Sequence, residues 1–311
     1  MSTEGGTKAV IAALMANTGI AVSKFAAFAV TGSASMLSEA IHSVADSLNQ
    51  VLLLVGGNHS KRQASAQHQF GYGRLRYVYG FMVAIVLFLI GGLYSVVEGW
   101  HKLHEPHSID NVAIAVTVLV VAIVLESFSF RTAIREANKI RKHRTMAQFI
   151  KDAREPELPV ILLEDFGALV GLIFALFGVG MAWITHDGRW DGLGAIAIGV
   201  LLILIAIILV REMASMLVGE SALPEEEAAV RTAIESAPIV ERIIHLRTLH
   251  VGPEALLVAV KIAVDANKDA HQIVTGIDEA ESILRAAVPN AEYVFFEPDF
   301  YRAELETEHK F

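Results

Sequence analysis

Ser38-Glu39-Ala40-Ile41-His42-Ser43-Val44-Ala45-Asp46-Ser47-Leu48-Asn49 is the stretch whose reading decides what this chain builds. Glu39, His42, Asp46 and Asn49 recur at steps of three, four and three. A helix of about 3.6 residues per turn therefore lines them on one face. The stretch sits inside an apolar run at residues about 34–58, long enough to cross a bilayer. A carboxylate at mid-bilayer costs about 2.5–3.5 kcal/mol on insertion scales. Such residues need a cation, a proton or a water-filled cavity to offset that cost.

Outward from this segment, five more apolar runs have spanning length, at residues about 8–31, 77–101, 110–135, 157–184 and 191–217. The predicted fold is six transmembrane helices over residues 1–218, followed by a cytoplasmic α+β domain over residues 219–311. The run Ala9–Thr31 reads as a retained first helix rather than a cleaved leader behind the polar start Met1–Lys8. Thr31-Gly32-Ser33-Ala34-Ser35 is a tight turn that folds the first two helices into a hairpin.

Charge orients the spans. One set of loops carries Lys61, Arg62, Arg74 and Arg76, then Arg131, Arg135, Lys139, Arg141, Lys142, Arg144, Lys151 and Arg154. The opposite loops carry only Lys102 and Arg189. This asymmetry predicts an integral, multi-pass protein of the cell (inner) membrane with both termini cytoplasmic. Trp100, Trp183 and Trp190 all fall at the predicted outer boundary.

Residues 1–218 hold 17 Lys+Arg against 16 Asp+Glu, and residues 219–311 hold 8 against 18. So acidic a tail argues against nucleic acid as a partner. The absence of cysteine removes thiolate ligands, thiol catalysis and disulfides. In the tail, Pro224-Glu225-Glu226-Glu227 opens a helix to about Ser236. Strands at Ile243–Leu249 and Leu256–Val264, a helix at about His271–Ala287 and a strand at Tyr293–Phe296 complete an αββαβ order.

His42 and Asp46, one turn apart, can grip one divalent ion, as i,i+4 pairs in helical zinc sites do. The fifth run supplies Glu164 and Asp165, two adjacent acids that cannot both stay ionised at this depth without a cation. Neighbours on a helix diverge by about 100°. Asp165 is read as the inward ligand and Glu164 as a flanking ligand or proton carrier. The metal set is thus His42, Asp46, Asp165 and Glu164, with no resident cofactor. One nitrogen with carboxylate oxygens suits Zn²⁺, and also Mn²⁺, Fe²⁺ or Co²⁺. Protons compete for the same lone pairs, which is a physical basis for exchanging metal for H⁺. Lys24 is expected to neutralise Glu39. Glu98 and Glu126 read as helix-end, interfacial residues.

These residues resemble the cation diffusion facilitators. The matching pieces are Thr31-Gly32-Ser33, Ser38 to Asp46, Phe70-Gly71-Tyr72-Gly73-Arg74 and, in the tail, Leu246-Arg247-Thr248 with Gly252-Pro253. The Leu163-Glu164-Asp165 pattern resembles a branch that includes mitochondrial zinc transporters. The resemblance implies a homodimeric metal/proton antiporter that exports metal by alternating access, with a ferredoxin-like dimerisation domain in its tail. Zinc leads as substrate. Ile161 stands where zinc carriers of the family usually have a His, and that leaves the fourth ligand, Mn²⁺, Fe²⁺ and Co²⁺ open. At the family's loop metal position His68 remains, while Ser65 and Tyr72 replace the other ligands. In the tail Val260 and Glu297 replace histidines, and Glu297 with Asp299 stays a candidate cation pair. No covalent chemistry is required, so an enzyme is not expected. A non-transporting membrane scaffold or sensor is the other class the residues allow.

Overall fold

A computed structural model describes residues 3–141 and 143–301, and for residues 3–16 the helical backbone alone. The polar start at Met1–Ser2, the side chains of the first span up to Ala16, and Lys142 of the basic loop therefore lie outside the described residues. The chain forms two compact units, Met1–His59 with Arg76–Ala214 and Ser60–Leu75 with Ser215–Phe311.

The first unit is helical: α1 (Thr3–Thr31), α2 (Ala34–Ser60), a long rod Leu75–His104, α5 (Val112–Ile140), the short α6 (Met146–Asp152), α7 (Glu157–Thr185) and α8 (Arg189–Val218). The rod consists of α3 (Leu75–Val86), a π-helical turn at Leu87–Leu93 and α4 (Tyr94–His104). Among the described residues, four helices are long and apolar enough to cross a membrane: Leu75–His104, α5, α7 and α8. The α2 helix has the length but is diluted by the polar stripe that opens the sequence reading.

Between α1 and α2, Gly32 takes φ +64°, a left-handed conformation that glycine adopts without strain. Just past it, Asp191 of α8 caps the start of α2. Its carboxylate accepts from Ser33 Oγ (2.7 Å) and from the backbone N–H of Ala34 (2.6 Å) and Ser35 (3.1 Å). Lys102 donates to the carbonyl of Gly32 at 2.9 Å and stands 4.0 Å from the same carboxylate. Asp191 is fully buried, and sequence reasoning misses its role because a cap from 157 residues away leaves no local signal. Where α8 passes the long rod, a Cβ on Gly199 would lie 2.6 Å from the carbonyl oxygen of Gly92. The two backbones touch because neither residue has a side chain.

The second unit carries α9 (Pro224–Glu235), β1 (Arg242–Gly252), β2 (Ala255–Ala263), α10 (Ala270–Ala287) and β3 (Ala291–Asp299), the expected αββαβ order. The sheet order is β1-β2-β3, antiparallel between β1 and β2 and parallel between β2 and β3. Leu256, Val258, Val260 and Ile262 alternate along β2 and pack with Val230 and Ile234 of α9 and Ala280 and Leu284 of α10. Both helices thus cover one sheet face. Asp269 and Gln272 form a reciprocal capping box that starts α10. The Ser60–Leu75 segment groups with this unit: Phe70 meets Tyr293 edge-on at 5.1 Å, and a Cβ on Gly73 would lie 2.9 Å from the Cα of Gly252.

Glu226, in the first turn of α9, has its carboxyl pushed down to about 2. The largest cause is the buried imidazole of His250, Nε2 3.6 Å from Oε2, a contact longer than a good hydrogen bond. Burial opposes it, while the Leu223 N–H (3.0 Å) and Asn290 Nδ2 (3.2 Å) donate to the carboxylate. A depressed carboxyl contributes stability that is present above its unfolded value near 4.5 and is lost as pH falls toward 2. Discounted for its partial exposure, the contribution is about 1 kcal/mol. Glu226→Gln is expected to flatten the acid limb of the full chain's melting temperature between about pH 4.5 and 2, read by circular dichroism. An unchanged acid limb would contradict this account.

Candidate metal centre

Four helices, α1, α2, α5 and α7, bring their polar side chains together. On α2, His42 is fully buried, and its Nδ1 lies 3.5 Å from Oδ1 of Asp46. No hydrogen bond reaches either ring nitrogen or that carboxylate oxygen among the described residues. The ring packs beside the π-helical turn: a Cβ on Gly91 would stand 3.8 Å from Nδ1. The widened helical turn and its missing side chain leave the imidazole room beside the rod.

Lys24 of α1 donates to Glu39 Oε2 at 3.0 Å and to Ser43 Oγ at 2.8 Å, all buried. The expected Lys24–Glu39 pairing is therefore present. The other oxygen, Oε1, has no hydrogen bond among the described residues and faces α7, where a Cβ on Gly171 would approach it to 2.6 Å. Glycine at 171 is what allows this carboxylate to lie against the α7 backbone.

The two acids of α7 are exchanged relative to the sequence reading. Glu164, buried, faces α2 and accepts from Asn49 Nδ2 at 2.6 Å. Asp165 turns toward α5 and accepts from Ser129 Oγ at 2.8 Å. The reason is helical phase. Glu164 is in register with Gly167, Ala168, Gly171 and Ala175, the buried stripe of α7. Asp165 shares its face with Ile161, which packs with Ala133 and Phe149 of α5 and α6. The stripe of small residues at 167, 168, 171 and 175 is the signal that could have assigned the inward acid. Among the described residues no three His, Asp or Glu groups converge as a closed metal cage. His42 and Asp46 stand together, Glu164 meets their helix through Asn49, and Asp165 is held apart by Ser129.

Glu126, read from sequence as a helix-end residue, lies well inside α5, which continues to Ile140. The loop and tail candidates are occupied by protein groups. Ser65 Oγ lies 3.3 Å from Tyr72 OH, and the His68 ring stacks at 4.6 Å on that tyrosine. In the tail, Lys261 Nζ sits 2.9 Å from Glu297 Oε1 and 3.0 Å from Asp299 Oδ2. An ammonium already stands between the two carboxylates, which raise the Lys261 pKa, Glu297 first. Lys261→Ala, made in the full chain with Asp46→Ala, is expected to add a weak zinc-binding step by isothermal titration. Identical titrations with and without Lys261 would show that the ammonium excludes nothing.

Residues 10–218 match the model of the cation efflux transmembrane domain. The chain is 31% identical over 254 residues to the mitochondrial proton-coupled zinc antiporter SLC30A9 of Xenopus laevis, covering 81% of this chain and 45% of that protein. It is 25% identical over 289 residues to metal tolerance protein C4 of Arabidopsis thaliana, covering 92% and 63%. A solved structure of MamM CTD in a nickel form, 19% identical, covers 26% of this chain and all of its own, at a TM-score of 0.25. The chain spans about half the length of the SLC30A9 antiporters it matches. The spacing of polar residues in α2, the run of apolar helices and the matched domain agree: this multi-pass membrane chain belongs to the cation efflux family.

Proposed function

We propose that this chain is a proton-coupled efflux transporter of a divalent transition metal, with Zn²⁺ as the leading substrate. The observation that carries the reading is the buried His42 beside Asp46, with both ring nitrogens and Asp46 Oδ1 left without hydrogen bonds among the described residues. Uncompensated polar atoms in a buried setting cost free energy. A divalent cation would satisfy them at once. Glu164 or Asp165 would complete the set by giving up its bond to Asn49 or Ser129. Imidazole and carboxylates fit Zn²⁺, with Mn²⁺, Fe²⁺ and Co²⁺ as alternatives, and no thiolate favours a soft ion.

The coupling follows from competition. A proton on imidazole or carboxylate removes the lone pair a metal needs, so low pH on one side releases the cation there. Alternating access then carries metal out and protons in. The proposed transporter has six spans, α1 and α2 included, with both termini cytoplasmic in the cell membrane, on the charge asymmetry of its loops. It works as a homodimer, and no covalent step is involved. The experiment loads purified protein into liposomes with a fluorescent metal reporter inside and applies a pH gradient. Zn²⁺ accumulation that a protonophore abolishes is expected. If none of the four metals moves with the gradient, the reading falls.

A further inference from the structure

Glu126 reads from sequence as a helix-end, interfacial residue, and the fold places it half-buried within α5. The buried residues of α5 are Ala115, Leu119, Ala122, Ala133 and Ala137. Their steps of four, three, eleven and four leave one gap, and Glu126 fills it in phase, four after Ala122 and seven before Ala133. Ser129, one turn further along the same side, hydrogen-bonds Asp165 of α7. This face of α5 packs on α1 and α7. Glu126 is therefore half-buried in phase with the side of α5 that packs on α1 and α7, and it lies within electrostatic range of Lys24 of α1, Glu39 and Asp46 of α2, and Asp165 of α7. Among the described residues its own carboxylate receives no hydrogen bond from the protein.

Acids alone would not define a site. What points to a ligand is the fully buried His42, neither of whose nitrogens has a hydrogen bond among the described residues, beside a buried Asp46 oxygen equally unserved. Asp46 lies within electrostatic range of Glu126, Glu164 and Asp165 without the four converging as a cage, and the nearby Lys24 ammonium is committed to a fifth carboxylate, Glu39. One lysine and one divalent ion cannot balance five carboxylates, so the region has room for a cation and for protons together.

We propose that Glu126 is a further carboxylate ligand of the transported divalent cation, supplied by α5 in addition to the donors of α2 and α7. This rests on the proposed transport function and extends its site to a third helix. A carboxylate from α5 would add an oxygen donor to the one imidazole and the carboxylates that α2 and α7 offer. It also ties the occupancy of the site to the packing of α5 against α7, where Ser129 donates to Asp165.

The test is Zn²⁺ flux in liposomes by full-length Glu126→Gln, which keeps the side chain's shape and removes its charge. The KM for Zn²⁺ is expected to rise at least tenfold, while metal-free melting in detergent is unchanged or raised, because a like-charge neighbour of Asp46 and Asp165 is gone. Glu126→Asp keeps the charge on a shorter arm and is expected to fall between the two. If Glu126→Gln does not fold, the KM of Glu126→Asp decides instead. A KM within twofold of wild type overturns the proposal, and so does a lowered melting temperature with KM unmoved, since that is a packing role. Asp46→Ala run alongside separates the two ideas. If Asp46→Ala is silent and Glu126→Gln behaves as wild type, only Glu126 is removed from the site. If Asp46→Ala transports normally, the transport site itself is misassigned.

Discussion

Asp46→Ala is expected to lower pH-gradient-driven Zn²⁺ flux at least about 100-fold, beyond the 10–100-fold that loss of a group merely supporting a ligand costs. The residue has one buried carboxylate oxygen that no hydrogen bond reaches among the described residues, and the His42 imidazole lies 3.5 Å away. Its loss removes half of the pair and a negative charge that attracts the cation. The fold should survive, because no hydrogen bond to that oxygen holds two elements together. The α7 acids sharpen the test. Glu164 faces α2 while Asp165 faces α5, so Glu164→Gln and Asp165→Asn report which one swings to the metal. Equal flux in Asp46→Ala and wild type, at equal protein incorporation, would mean that the metal does not pass this carboxylate.

The second large effect is on stability. Asp191→Ala is expected to destabilise the helical unit by about 3–5 kcal/mol, the scale for removing one partner of a buried ionic network. Two backbone N–H groups at the start of α2 and the Ser33 hydroxyl would lose their acceptor in a place water does not reach, and the Lys102 ammonium, which keeps the Gly32 carbonyl, would lose its counter-charge. Thermal unfolding of the detergent-solubilised protein should fall by about 10 °C or more. Asp191→Asn keeps one acceptor oxygen and should fall less. Because this knot starts the helix that carries His42 and Asp46, loosening it should also raise the KM for metal. A melting temperature within a degree of wild type in Asp191→Ala would show that the cap carries no load.

Much of this molecule is readable along one dimension. The 3,4,3 spacing of Glu39, His42, Asp46 and Asn49 defines a helix face without any neighbour, because helical phase is local. The αββαβ order follows from hydrophobic alternation and turn residues in the same way, and the strands and helices fall within a few residues of where the pattern puts them. The i+15 approach of Lys24 to Glu39 is legible too, because a lysine in an apolar helix has to find a carboxylate across the hairpin that Gly32 closes.

What the sequence by itself determined, then, is the set of chemical groups and the helices that carry them: imidazole and carboxylates inside apolar spans, and an acidic α+β tail. Only the tertiary structure decided which group meets which. Glu164 rather than Asp165 faces α2 because the glycine and alanine stripe of α7 is the side that packs inward. Glu126 is half-buried rather than interfacial because its position falls in phase with Ala122 and Ala133, on the side of α5 that packs inward. Asp191 caps α2 from the far end of the chain, and Lys261 stands between Glu297 and Asp299 across β2 and β3. Each of these depends on the rotation of one element against another. Rotation is fixed by packing over long sequence separation, and no local spacing records it. The polar stripe from Glu39 to Asn49 names the donors; the packing of α5 and α7 around it determines how a metal site can be completed.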